Sequence, residues 1–312
     1  MHLMISHASA LGEACAQARQ TLALPRLAAL LGLLAPEAGH GGDEYSLHTP
    51  EERALAALWG WDAAPPSTPL PLAAVQAQAD GIEVGAAAWA LLSPLHLSVG
   101  SDQITALDPQ ALRLDEAESR AFFASLAWLF PAEEGWRSAW GAPTRWYVAH
   151  DSLDGLAGAS LERVINRNVD PWMPEARRLR TLQNELQMAL HRHPLNEARE
   201  ARGVLALNSV WISGTGRARP RAAAPELQVE VRLREPLLGE DWAAWCEAWM
   251  ALDAGPVAEL LRRAQAGAAV TLTLCGERRA QSYRPRSATG LSRLWQRIAA
   301  PQADVAKALE AL

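Results

Sequence analysis

Apolar positions recur with two different periods along the chain. A short apolar run, Leu3 to Ile5, predicts a first strand, and a helical stretch follows over Ala16 to Leu34, interrupted at Pro25. Gly39 to Pro50 carries the Gly, Asp, Ser and Pro content of a loop. EERALAALW then predicts a helix with acids in its first turn, where they complement the helix dipole. Asp62 to Pro71 is a proline-rich connection. Asp115 followed by Glu118 forms a capping-box pattern ahead of an apolar helix through Phe130. A longer helix is expected from Pro174 to His193, ended by Pro194. Its Leu179, Leu182, Leu186 and Leu190 make one stripe, while Arg177, Arg178, Arg180, Gln183 and Gln187 face elsewhere.

Val204 to Ser213 predicts a strand closed by the glycine turn GTG, and Leu227, Val229, Val231 and Leu233 alternate as in a half-buried strand. Trp242, Trp245, Cys246, Trp249 and Met250 share one helical face, which predicts a core helix. Val270 to Leu274 has the β-branched density of a buried parallel strand, and helices are expected to close the chain. Strand and helix alternate at both ends, so the fold class is α/β. Residues 1–110 and 216–312 are expected to form the main domain, with 111–215 an inserted, smaller α/β domain.

Composition narrows the function classes. The 312 residues carry a formal charge of −6, which excludes a protein built to neutralise many nucleic-acid phosphates. The best membrane candidate, Val84 to Val99, spans 16 residues and is broken by Ser93, Pro94 and His96, so no membrane partner is expected. The start lacks a basic region ahead of its apolar stretch, and Cys15, Cys246 and Cys275 lie far apart without a CxxC pair. A cytoplasmic protein without a disulfide or zinc framework is the expectation. Thirteen tryptophans sit mostly in helical stripes, where they report packing.

The densest polar cluster runs from His191 to Pro220. His193, Asn196 and Arg199 are three apart and would share a face of a helical turn. Asn208 follows on the next strand, and Gly214 and Gly216 would form a loop able to present backbone N–H groups to an anion. Arginine adds a fork suited to carboxylate or phosphate. Two readings stand side by side: a site for a small anionic ligand, and a helix end in which His193 and Asn196 cap while Arg199 sits in solvent. His7 and Ser9 follow the first strand as ordinary loop residues, and His150 next to Asp151 has side chains expected to diverge. ARPR and ERRAQSYRPR make the last third basic, a feature of solvated arginines or of a surface for an acidic protein partner.

The His191–Pro220 segment resembles a signature of the archaeal-type cofactor-independent phosphoglycerate mutases, in the alkaline phosphatase superfamily. The matching residues are His193, Pro194, Asn196, Arg199, Gly203, Asn208, Trp211, Gly214 and Gly216. LPRLAALLG, LAALWGWDA, and LDEAESRAFF with EGWRSAWGAPTRWYV are similar to other segments of that family, in the right order. The resemblance implies an alkaline phosphatase-like sheet flanked by helices, with the inserted domain. It also implies a site of two divalent metals with a serine nucleophile, and there the chain departs from the family. The first metal loop is replaced by Ser6 to Ala10, and the nucleophile segment by TPEE, leaving Thr49 or Ser46. The late Asp-His pair falls at Cys275 and Gly276, and the substrate arginine falls within Trp89 to Ser93, which has none.

This pattern resembles the RpfE-type regulatory proteins of proteobacteria, themselves similar to the mutases. A non-catalytic regulatory or ligand-sensing protein, without metal or cofactor, is therefore expected. A mutase or phosphatase with an atypical site and an interaction scaffold are the alternatives. The candidate ligand-binding residues are His193, Asn196, Arg199, Asn208 and, in the inserted domain, Arg145.

Overall fold

The computed structural model describes residues 1–37, 39–61, 68–223, 226–285 and 303–312. The chain divides into two units: 1–44, 49–62 and 221–312 make the first, 45–48 and 63–220 the second. The opening stretch contributes strands β1 (His2–Ile5), β2 (Leu34–Pro36) and β3 (His40–Gly41), with helices α1 (Glu13–Thr21), α2 (Pro25–Leu33) and α3 (Pro50–Leu58). The second unit holds β4 (Ala88–Leu95), β5 (Leu97–Val99), β6 (Ile104–Ala106), β7 (Arg137–Ala142), β8 (Arg145–Ala149) and β9 (Ser209–Arg217). Its helices are α4 (Leu72–Ala79), α5 (Glu116–Ser125), α6 (Leu161–Val164), α7 (Arg177–Leu190) and α8 (Pro194–Ala201). The closing stretch returns to the first unit with β10 (Leu227–Glu230), α9 (Arg234–Leu238), α10 (Trp242–Leu252), α11 (Ala258–Gln265), β11 (Thr271–Cys275), β12 (Arg279–Pro285) and α12 (Val305–Glu310).

The first unit is a mixed sheet flanked by helices, in strand order β10-β1-β11-β12-β2, with β3 also on β12. β1 runs parallel to β10 and β11, whereas β12 is antiparallel to its neighbours. Successive strand residues face opposite ways, so Leu3, Ile5, Leu272 and Leu274 enter one core with Leu27, Leu30, Trp245 and Trp249. Met4, Cys275 and Ala280 meet Ala54 of α3 on the other face. Pro25 does not merely interrupt a helix. It opens α2 at its first turn, where a missing N–H is harmless. A π turn, Asp253–Val257, joins α10 to α11, and its buried Asp253 accepts from the α2 backbone N–H of Leu27 at 2.7 Å and of Arg26 at 3.3 Å.

The second unit is built on an antiparallel sheet in order β7-β8-β4-β9. Leu92, Trp146, Val148, Val210 and Ile212 face Phe122 of α5 and the leucine stripe of α7. Trp89, Tyr147 and Ala149 face the alanines of α4. The expected insert at 111–215 is thus widened: β4 pairs with both β8 and β9, which places residues 63–110 with this sheet rather than with the first.

Several expected elements shift. The helix from Pro174 begins at Arg177, and Pro194 both ends it and opens α8. The helix from Asp115 stops at Ser125 and continues as a separate 3-10 turn. The strand expected over 204–213 begins at Ser209 and runs on to Arg217, so the GTG turn lies inside it. There Gly214 has φ +64° and Gly216 φ +135°, and the pairing with β4 slips between Trp89 and Leu91, which defines a β-bulge. A Cβ on Gly214 would sit 2.6 Å from the Ala73 backbone nitrogen, so glycine also lets α4 approach β9. Val229 is exposed despite the alternation, and Val231 is exposed too, since β10 stops before it at Glu230; Met250 of α10 is also exposed. ERRAQSYRPR includes strand β12, and its described arginines, Arg278, Arg279 and Arg284, are exposed. Most of the proline-rich connection, 62–67, lies outside the described residues.

Gly214→Ala is expected to cost about 2 kcal/mol or more. The left-handed backbone accounts for roughly 1–2 kcal/mol, and the backbone contact adds to it. Gly203→Ala, at φ +71° with nothing within 4 Å, should show only the backbone part. Equal effects in chemical denaturation would mean that close approach of α4 contributes nothing.

Candidate functional site

The segment after α7 brings the candidate residues together, but toward the interior. His193 is the N-cap of α8: its Nδ1 accepts from the Leu195 N–H at 3.2 Å, and Nε2 lies 2.9 Å from Ser125 Oγ. Burial holds its pKa below the ordinary histidine value. Asn196 Nδ2 donates to the carbonyls of Leu190 (3.0 Å) and Leu207 (2.8 Å), and its Oδ1 accepts from the Leu207 N–H at 2.8 Å. It therefore caps the end of α7 while holding the approach to β9, satisfying carbonyls that no helical partner reaches. Asn208 pairs both ways with the Leu97 backbone, at 2.7 and 2.9 Å.

Arg199 is only 1% exposed, which overturns the expectation that it sits in solvent. Nε donates to Leu205 O at 2.7 Å, Nη2 to Leu112 O, and Nη1 to Glu118. Glu118 is also held by Arg202 at 2.5 Å. This changes the Asp115 cap. Asp115 accepts from the Glu118 N–H at 2.8 Å as expected, but the Glu118 carboxylate turns to the two arginines instead. Arg145 is likewise paired, with Asp80 at 2.8 and 3.0 Å, and the Tyr147 hydroxyl donates to Asp80 at 2.6 Å. The Arg145 hydrogen bond holds the Asp80 carboxyl below its usual range, and burial, then Asp80, pushes the Tyr147 phenol up. Sequence reasoning found the cluster and missed its anchors: Glu118 and Asp80 lie 81 and 65 residues away from their arginines.

The positions that the family resemblance assigns to catalysis are also occupied by structural contacts. Ser6 Oγ donates to Glu230 O at 3.0 Å, and Ser9 accepts from Arg19 at 2.8 Å. Thr49 is the N-cap of α3 in a reciprocal capping box with Glu52. Ser46 accepts from Arg163 at 2.5 Å and donates to His48 O at 3.1 Å. Cys275 is buried, which raises its thiol pKa well above the ordinary value. Trp89 to Ser93 form part of β4. His150 turns to Ser152, while Asp151 pairs with Arg217, so those neighbours do diverge. Among the described residues no three His, Cys, Asp or Glu side chains converge as a metal-binding group, and no helix is long and apolar enough to cross a membrane. The basic runs are partly neutralised by ion pairs, Arg278 with Glu44 and Arg284 with Glu37.

No protein-family profile and no curated protein matches the chain. Among solved structures, the chain is similar to the cofactor-independent phosphoglycerate mutase from Thermoplasma acidophilum. They share 13% identity over 92% of this chain and 90% of that one, with a TM-score of 0.38. It is also similar to the PH0037 protein from Pyrococcus horikoshii, at 12% identity over 91% and 87% of the two chains, with a TM-score of 0.47. At such identities and scores neither likeness assigns this chain an activity.

Proposed function

We propose that this chain is a non-catalytic relative of the phosphoglycerate mutases, with a regulatory or ligand-sensing role. The observation that carries the reading is Thr49: the hydroxyl at the nucleophile position accepts from the Glu52 N–H at 3.2 Å, closing a capping box. A nucleophile needs a neighbouring base or metal to activate it, and the residue answering Thr49's backbone is a helix-capping glutamate at 2.9 Å. The Ser6 and Cys275 positions, which would carry metal ligands in the family, are engaged in the backbone frame and the core in the same way. For His193, Asn196, Arg199 and Asn208 this reading takes an architectural role over the anion site, and what supports it is that each side chain closes backbone groups around α8 and β9.

The expected result is no interconversion of 2- and 3-phosphoglycerate above a mock preparation, with or without added divalent metal. Thr49→Ala should cost about 1 kcal/mol of stability, the usual worth of an N-cap. Turnover that copurifies with the protein and vanishes in folded Thr49→Ala would overturn the reading.

A further inference from the structure

In the second unit, a cleft of about 510 Å³ lies between α7 and the turns that follow α5, within the roughly 300–1,000 Å³ range of small-ligand pockets. Its apolar surface comes from Leu129, Trp136 and Leu182. The Trp136 indole is stacked on His150 at 4.6 Å, and His150 Nε2 lies 3.2 Å from Glu134 O, so this wall is braced from behind. Four charges line the same cleft: Arg177, Arg178, Glu134 and Glu185. Arg178 lies over the Trp136 ring at 5.5 Å. Among the described residues none of the four is in an ion pair, in contrast to the engaged Arg199 and Arg145.

We propose that this cleft binds a small zwitterion with an apolar body, of the amino-acid class. A polyanion such as a phosphate ester would suit the arginines but meet Glu134 and Glu185. A cation would meet the reverse conflict. A ligand carrying one carboxylate and one ammonium satisfies both pairs, and its apolar side chain lies against Leu129 and the small exposed edges of the otherwise buried Leu182 and Trp136. The braced wall and the ring-held Arg178 reduce the ordering needed on binding. The proposal rests on the ligand-sensing part of the function above and moves the ligand away from the His193 cluster.

Calorimetry on the full chain tests it with L-phenylalanine, 3-phenylpropanoate, phenethylamine and inorganic phosphate as probes. L-Phenylalanine should bind saturably at one site, and the two truncated probes about tenfold or more weaker, the scale of one charged hydrogen bond. The double variant R177A/R178A should weaken L-phenylalanine and 3-phenylpropanoate while leaving phenethylamine as it was. E134Q/E185Q should do the opposite, weakening L-phenylalanine and phenethylamine alone. These four residues are exposed, so the parent melting curve should be retained. Absence of saturable L-phenylalanine binding at millimolar concentration, tighter binding of phosphate, or variants without this crossed pattern would each overturn the site. Phosphoglycerate turnover would overturn the preceding reading and leave this site standing.

Discussion

Replacing Arg199 by alanine is expected to lower the unfolding free energy of the second unit by about 3 kcal/mol, the lower end of the range for breaking a buried ion pair. The side chain is 1% exposed and joins α8 to Glu118 on α5 and to the carbonyls of Leu112 and Leu205. Its removal takes the arginine donors from the buried Leu112 carbonyl and the half-buried Leu205 carbonyl and leaves a void of arginine size. The lower end applies because Glu118 keeps Arg202 and is itself 14% exposed. Arg199→Lys should recover only part of the loss, since one ammonium cannot reproduce a fork that reaches three acceptors. Chemical denaturation with a probe in the second unit reads the effect. An unchanged midpoint in Arg199→Ala would show that the network holds nothing together.

The second large effect is a loss of stability in mild acid that depends on His2. Its Nε2 lies 2.7 Å from Thr273 Oγ1, which in turn lies 2.7 Å from Ser282 Oγ, in a row across β1, β11 and β12. Burial first, then the positive charges of Arg284 and the chain's amino terminus, lower its pKa to about 4. The unfolded chain, with a histidine pKa near 6.5, binds the proton more readily than the folded one between these values. Stability therefore rises with pH in that window. The neutral ring's contribution is fully present above pH ~6.5, declines as pH falls toward 4, and levels off below, amounting to roughly 3 kcal/mol in all. His40 and His193, also lowered by burial, act in the same direction, so the contribution of His2 is the difference between the parent and His2→Gln. Denaturation midpoints measured from pH 4 to 7 should slope less steeply in the variant. Identical slopes would remove His2 as a cause.

Much of the local structure was legible because it depends on neighbours in the chain. The Asp115 cap, the leucine stripe of α7 and the apolar run of β1 all follow from short spacings, whereas Pro25 and Pro194, expected to interrupt or end helices, open α2 and α8. The GTG segment was misleading for the same reason. Two glycines close together predict a turn locally, and only the pairing of β9 with β4 and the contact with α4 make them a bulge within a strand. Met250 and Val231 likewise carry the right period and still face outward, since period specifies a face and not what covers it.

The candidate cluster divides along the same line. That His193, Asn196 and Arg199 lie on one side of a helical turn was determined by the three-residue spacing alone. Whether that side holds an anion or a scaffold depended on groups far away in sequence: Glu118, Leu112, Ser125 and Leu97. Arg177 and Arg178 show the reverse, since in sequence they are only the polar side of an amphipathic helix. Glu185 is two turns along the same helix, but their place beside Trp136 and Glu134 exists only once α7 has packed. Propensity, capping and periodicity act within a few residues and survive in the sequence. The partners of a charged side chain are set by chain folding across distances that no local pattern records, and here those partners are what tie Arg199 and Arg145 into the framework.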